Sequence, residues 1–266
     1  MLHNVIWTQV SIWTLVSALF LSVGRSVWPS ITSLCRLARA TTLIAIVLLA
    51  ISVTVRSQEA GYFALSNMYE SMMMVVLTML LGLMYLDFRF KLATLAWPVI
   101  LLALIALNFA LTLPTEIGPL QAALQSYWRS IHVPVIIGSY GFFTIAFITS
   151  LLHLVALARQ SEMRQMYDEV THRAVAIGFP LLAIGVILGG LWANEAWGNY
   201  WSWDPKESMS LVTLLVYGAY LHLRVTQKVS STALAWISVG GFVMMLITYF
   251  GVNIMGLGLH SYGKIG

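Results

Sequence analysis

Residues 174–193 read AVAIGFPLLAIGVILGGLWA, without one charged side chain, and residues 194–207, NEAWGNYWSWDPKE, then bring back charge and aromatic rings together. An apolar run of that length matches the roughly 20 residues that a helix needs to cross a hydrocarbon core. Comparable runs occur at about 5–23, 37–55, 71–87, 95–113, 133–157, 208–225 and 233–253. The chain therefore reads as all-α, a polytopic membrane helical bundle of about eight transmembrane helices. Composition agrees: 59% of the residues are hydrophobic and 9% are charged, where soluble domains carry about 25% charged residues. The first run is expected to stay as a helix rather than act as a cleaved leader. Met1 to Asn4 lacks a basic n-region, and Val23-Gly24-Arg25 is a poor cleavage site.

Basic residues set the expected orientation, because Lys and Arg accumulate in short cytoplasmic loops. With eight spans, Arg25, Arg36, Arg39, Arg89, Lys91, Arg159, Arg164, Arg173, Arg224 and Lys228 fall on one side, and Arg56, Arg129, Lys206 and Lys264 on the other. The asymmetry predicts both termini and the Trp-rich segment outside the cytoplasm or on the equivalent face of an organelle. The net charge of +4 thus reports topology and implies no nucleic-acid partner. The sole cysteine, Cys35, excludes a disulfide framework, a CxxC redox pair and a thiolate metal cluster.

Short loops without low-complexity linkers predict one compact bundle. Three segments, 56–70, 114–131 and 192–207, with the tail from Asn253, are long enough to cover the outer face. The mixed-charge segment 159–173 reads as a solvated helical connection. In Asn67-Met68-Tyr69-Glu70-Ser71, Asn67 or Ser71 is expected to cap the third span. Met72, Met73 and Met74 point around a helix and are expected to pack rather than bind metal.

Chemistry concentrates on the outer side. Trp192, Trp197, Trp201 and Trp203 with Tyr200 crowd into residues 192–203 and run into Asp204-Pro205-Lys206-Glu207. His132 is expected just before the fifth span and His260 in the tail after the eighth, both on the face of the tryptophans. Imidazole is an axial ligand of haem iron, and a porphyrin needs broad aromatic contact, so this constellation fits a haem site. The competing reading is an interfacial aromatic belt with solvated histidines. Asp204-Pro205 also has a structural reading as N-cap and first residue of the seventh helix. His222 lies about 14 residues, roughly 21 Å, into the seventh span. It is either a ligand or a hydrogen-bond partner of a neighbouring helix. His153, at the inner end of the fifth span, is a weaker candidate, and His3 and His172 are expected in solvent.

Trp197-Gly198-Asn199-Tyr200-Trp201-Ser202-Trp203-Asp204-Pro205-Lys206-Glu207 resembles the WWD signature of the cytochrome c assembly family, and its Asp-Pro-Lys-Glu ending resembles the CcsA/ResC branch. Ser66–Ser71, Leu124-Gln125-Ser126-Tyr127-Trp128 leading to His132, Tyr220-Leu221-His222-Leu223-Arg224, and Gly258-Leu259-His260-Ser261-Tyr262-Gly263 extend the resemblance. It covers roughly residues 58–266, leaving 1–57 as an N-terminal transmembrane pair.

The resemblance implies the haem-handling subunit of a system II cytochrome c synthase. Haem b (iron protoporphyrin IX) would be held by His132 and His260 against Trp128, Trp192, Trp197, Tyr200, Trp201, Trp203 and Asp204. His222 would be the histidine within the membrane that meets haem on its way out. A CcsB/ResB-type membrane partner and apocytochromes c carrying CxxCH are the implied partners, in a bacterial inner membrane or a thylakoid membrane. The alternative is a CcmC-like or HemX-like protein that binds haem without completing its attachment. A solute carrier gated by the aromatic segment is a third reading, disfavoured because the spans hold few polar residues to line a water path.

Overall fold

The computed structural model describes residues 3–90, 95–252 and 258–259. Among them, eight α-helices follow one another: α1 His3–Val27, α2 Thr32–Ala60, α3 Met68–Phe90, α4 Ala96–Ala110, α5 Tyr127–Ala158, α6 Met163–Trp197, α7 Pro205–Thr226 and α8 Ser231–Leu246. A π-turn, Ile247–Gly251, prolongs α8, and a single 3₁₀ turn, Ala122–Leu124, precedes α5. No strand occurs among the described residues. Among the described residues, seven helices are long and apolar enough to span a bilayer, and α4 is a shorter apolar helix. The chain is an all-helical integral membrane protein.

Helix ends depart from the apolar runs because caps, not hydropathy, set them. Ser126 accepts a hydrogen bond from the Trp128 amide at 3.2 Å and starts α5 at Tyr127. His132 therefore lies inside the helix, not before it. Gly198, at φ +80°, ends α6 in the left-handed region that glycine adopts without a Cβ penalty, so Trp192 and Trp197 are helical and only 198–204 is loop. In α4 the chain leaves the helix early. Thr112 and Leu113 bond three residues back to Phe109 and Ala110, and Pro114 disfavours a helical residue before it.

The helices pack as two compact units dividing between Pro119 and Leu120. In the first, α1 packs on α2 and α4, and α3 on α2 and α4, closing a four-helix circuit. Buried ion pairs fasten its two ends. Arg56 and Glu70 are both fully buried, with Nε to Oε1 at 2.9 Å. Arg56 also donates to the carbonyls of Thr115 and Glu116, and Glu70 accepts from the Ser66 amide and hydroxyl. The Asn67 side chain accepts the Glu70 amide at 2.9 Å, the expected cap of α3. At the other end Arg25 forks onto Asp87 with bonds of 2.8 and 3.0 Å, joined by Arg39 at 2.7 Å. Met72, Met73 and Met74 are all buried.

The second unit repeats the circuit with α5 through α8. Its centre is a run of ring-on-glycine contacts through all four helices. A Cβ on Gly178 of α6 would stand 2.7 Å from Phe143 of α5. Phe143 lies flat on Tyr217 of α7, centroids 3.7 Å apart, and a Cβ on Gly241 of α8 would be 2.8 Å from the Tyr217 ring. Without interhelical hydrophobic force in lipid, such close approach of small residues is a main source of packing energy.

Candidate functional site

The α5–α6 pairing places the first candidate residue. The two helices run antiparallel, and Phe143, Ile136 and His132 of α5 meet Gly178, Gly185 and Gly189 of α6 in turn. A Cβ on Gly189 would fall 2.8 Å from His132 Cε1 and 3.1 Å from Nδ1. The imidazole thus occupies the space that a side chain at 189 would fill. Its Nδ1 is 2.7 Å from the Gly185 carbonyl oxygen. A carbonyl only accepts, so Nδ1 carries the proton and, in the neutral ring, the Nε2 lone pair is the one able to bind a metal.

Aromatic rings continue from the histidine. Trp192 stacks on His132 with centroids 5.7 Å apart and planes at 27°. Trp197 is tilted against Trp192 at 5.2 Å. Trp192 is buried, and its indole N–H donates to the Ala123 carbonyl at 2.8 Å. The segment before α5 is tied down twice more, by Ser126 donating to the Glu195 carboxylate at 2.9 Å and by Arg129 donating to the Leu124 carbonyl at 2.7 Å. Trp128, half-buried, meets Tyr127 edge to face at 6.1 Å.

Loop 198–204 presents the rest. It folds back so that the Tyr200 carbonyl would stand 3.1 Å from a Cβ on Gly190, the neighbour of the His132 cradle. Trp203 sits at φ +58°, a left-handed conformation that a bulky residue rarely adopts. Trp203 and Tyr200 are 69% and 61% exposed, presenting apolar faces outward. Trp201 meets Trp203 at right angles, 5.7 Å between centroids.

The turn is held from below by a capping box. Asp204 accepts the Lys206 amide at 2.8 Å, and Glu207 accepts the amides of Ser202 and Asp204 at 2.8 and 3.1 Å. The second Asp204 oxygen accepts the Leu259 amide at 2.6 Å, and Gly258, at φ +78°, lies where a Cβ would strike that carboxylate. The tail residue before His260 is thereby fixed to the start of α7. His260 itself lies outside the described residues.

His222 is not part of this assembly. It is exposed on α7, eighteen residues beyond the Asp204 cap, about 27 Å along a helix. At that end Arg224 pairs with Asp168 of α6. His153 is buried there, its Nδ1 2.8 Å from the Arg164 carbonyl and its Nε2 without a hydrogen-bond partner. His172 is half-buried rather than solvated. Among the described residues no group of three or more His, Cys, Asp and Glu is suited to a metal ion. The aromatic end offers an imidazole beside aromatic rings.

Sequence reading missed the Gly185 carbonyl, the Gly189 cradle, and the Ser126 and Glu195 tie. The signal available was the spacing Gly185-x-x-x-Gly189 within an apolar helix, which marks close helix approach but does not name the neighbour.

The profile of the family described as Cytochrome C assembly protein matches residues 65–260. A protein of Guillardia theta called "Cytochrome c biogenesis protein CcsA" is 37% identical over 252 residues, covering 84% of each chain. One of the same name from Porphyra purpurea is 32% identical over 299 residues and covers 94% of each. Among solved structures the fold resembles "Cytochrome c Heme Lyase CcmF", with a TM-score of 0.64 at 17% identity. That match covers 94% of this chain and 47% of the other. The chain belongs to the cytochrome c assembly protein family, alongside its CcsA cytochrome c biogenesis proteins.

Proposed function

We propose that this chain is the haem-handling subunit of a system II cytochrome c synthase, binding haem b at the aromatic end of α5 and α6 and presenting it to apocytochromes. The observation that carries this reading is the His132 ring. Its proton is committed to the Gly185 carbonyl, it stacks on Trp192, and exposed Tyr200 and Trp203 lie on the loop folded over the adjacent Gly190. These side chains fit an iron porphyrin, which needs a neutral imidazole nitrogen and wide apolar contact. His260 would be the second iron ligand, and the Leu259 amide on Asp204 supports this by fixing the preceding residue to the start of α7.

Haem held there would supply two vinyl groups, each able to take up one CxxCH thiol, with sulfur on one carbon and hydrogen on the other. This chain's residues would position it: His132 would hold the iron, Trp192 and Trp197 back the imidazole, and the capping box holds the loop. Positioning alone contributes large rate factors to such a reaction. His222, exposed on α7, would complete an inner haem site with a histidine of a CcsB/ResB-type partner. By the basic-residue asymmetry the WWD loop faces the periplasm or thylakoid lumen.

The test is genetic and biochemical. Deleting the gene for this chain is expected to abolish covalently haem-stained c-type cytochromes while apocytochromes accumulate, and restoring the chain with its partner is expected to recover them. Normal maturation after deletion would contradict a synthase subunit and favour a CcmC-like or HemX-like haem-binding role.

A further inference from the structure

Seven buried side-chain polar atoms lack a hydrogen-bond partner among the described residues. Five of them gather in the half of the second unit away from loop 198–204: Ser150 Oγ, His153 Nε2, His172 Nδ1, Tyr220 OH and Ser238 Oγ. Four contacts bring four of these residues to one level. Thr149 and Thr171, the sequence neighbours of Ser150 and His172, bond to each other across α5 and α6 at 2.8 Å. Asp168 and Arg224, one turn from His172 and Tyr220, pair across α6 and α7. Tyr217, one turn before Tyr220, donates to the Ser238 carbonyl of α8 at 3.5 Å. Phe147, one turn before Ser150, stacks on Phe242, one turn after Ser238, with centroids 4.2 Å apart. Residues three or four apart share a helix face, so Ser150, His172, Tyr220 and Ser238 form a polar layer with one member from each helix of the unit. Ser150, Tyr220 and Ser238 are fully buried.

We propose that this layer is a binding site for a small cluster of buried water. An unpaired hydroxyl or ring nitrogen away from solvent is costly, and a water molecule with two to four polar partners removes that cost. The layer's members are three hydroxyls and a ring nitrogen, and the acid nearest in the circuit, Asp168, is spent on Arg224. Neutral water therefore fits where a cation would be left uncompensated. His153 continues the site one turn along α5. The Arg164 carbonyl, 2.8 Å away, takes its Nδ1 proton, so Nε2 is an acceptor for a water O–H. Water bound here ties all four helices together beneath the stacked rings and braces the α5–α6 pair that carries His132.

The experiment is X-ray radiolytic footprinting of the full chain in detergent, because hydroxyl radicals formed from bound water oxidise the residues that the water touches, however deeply they are buried. The reference is Tyr69, 1% exposed, whose hydroxyl already accepts from Asn4 at 2.9 Å. Tyr220 is expected to be oxidised several-fold faster than Tyr69, and equal, slow oxidation of the two would overturn the proposal. A second arm measures the melting temperatures of Tyr220→Phe and Ser238→Ala. Each is expected to melt lower than wild type, because the bridging water loses a partner. An unchanged or raised melting temperature, the result of relieving a dry unpaired hydroxyl of its desolvation cost, would overturn it as well. The wild-type footprint stands whether or not a variant folds.

Discussion

A methyl group at residue 189 would stand 2.8 Å from His132 Cε1, closer than carbon atoms pack, so Gly189→Ala must push the imidazole off the Gly185 carbonyl. Alanine is a better helix former than glycine by about 1 kcal/mol, so α6 itself loses nothing. Gly189→Ala is therefore expected to cut haem retention several-fold while helical content and melting temperature hold, read by absorption spectrum and circular dichroism on one preparation. A wild-type spectrum from this variant would remove the cradle from the account. Asp204 acts at the same scale. Asp204→Ala loses a cap worth about 1 kcal/mol and frees the Leu259 amide. Faster limited proteolysis between residues 252 and 266 is the expected readout, and an unchanged rate would speak against the tether.

At the scale of elements, the eight helices were legible because twenty-residue apolar runs have few other uses, and the caps at Asn67 and Asp204 were legible because the polar side chain and the helix start are neighbours in sequence. The start of α5 was not. Tyr127 to Ile131 continue the helix under the Ser126 cap, with Arg129 satisfied by the Leu124 carbonyl, so a charge that seemed to end the span is absorbed. The aromatic and histidine members of the proposed site stand out in the sequence as residue types. Their glycine partners do not, because a glycine in a membrane helix gains meaning only from the ring opposite, here more than fifty residues away in sequence. The Gly178, Phe143, Tyr217 and Gly241 stack gives an element-scale prediction. Phe143 is held between α6 and the Tyr217 ring, so Gly178→Ala is expected to destabilise by about 1–3 kcal/mol through overpacking, seen as a lowered melting temperature in detergent. An unchanged melting temperature would mean that the stack yields.

For the whole molecule, two compact units were not legible, since short loops between all the runs look alike in sequence. Orientation in the membrane is the molecular-scale expectation still to be measured. In a Cys35→Ser background, Tyr200→Cys is expected to react with a membrane-impermeant maleimide from the outer face and Gln227→Cys only after lysis; the reverse pattern would invert the topology. The central claim is that His132 ligates haem beside Trp192. Its most direct test is the absorption spectrum and pyridine haemochrome of the chain purified with its CcsB/ResB-type partner from haem-replete cells, comparing wild type with His132→Ala before and after added imidazole. The account predicts a Soret band in wild type that weakens or shifts in His132→Ala and returns with imidazole. A wild-type complex without haem, or a His132→Ala complex with unaltered haem content and spectrum, would contradict it.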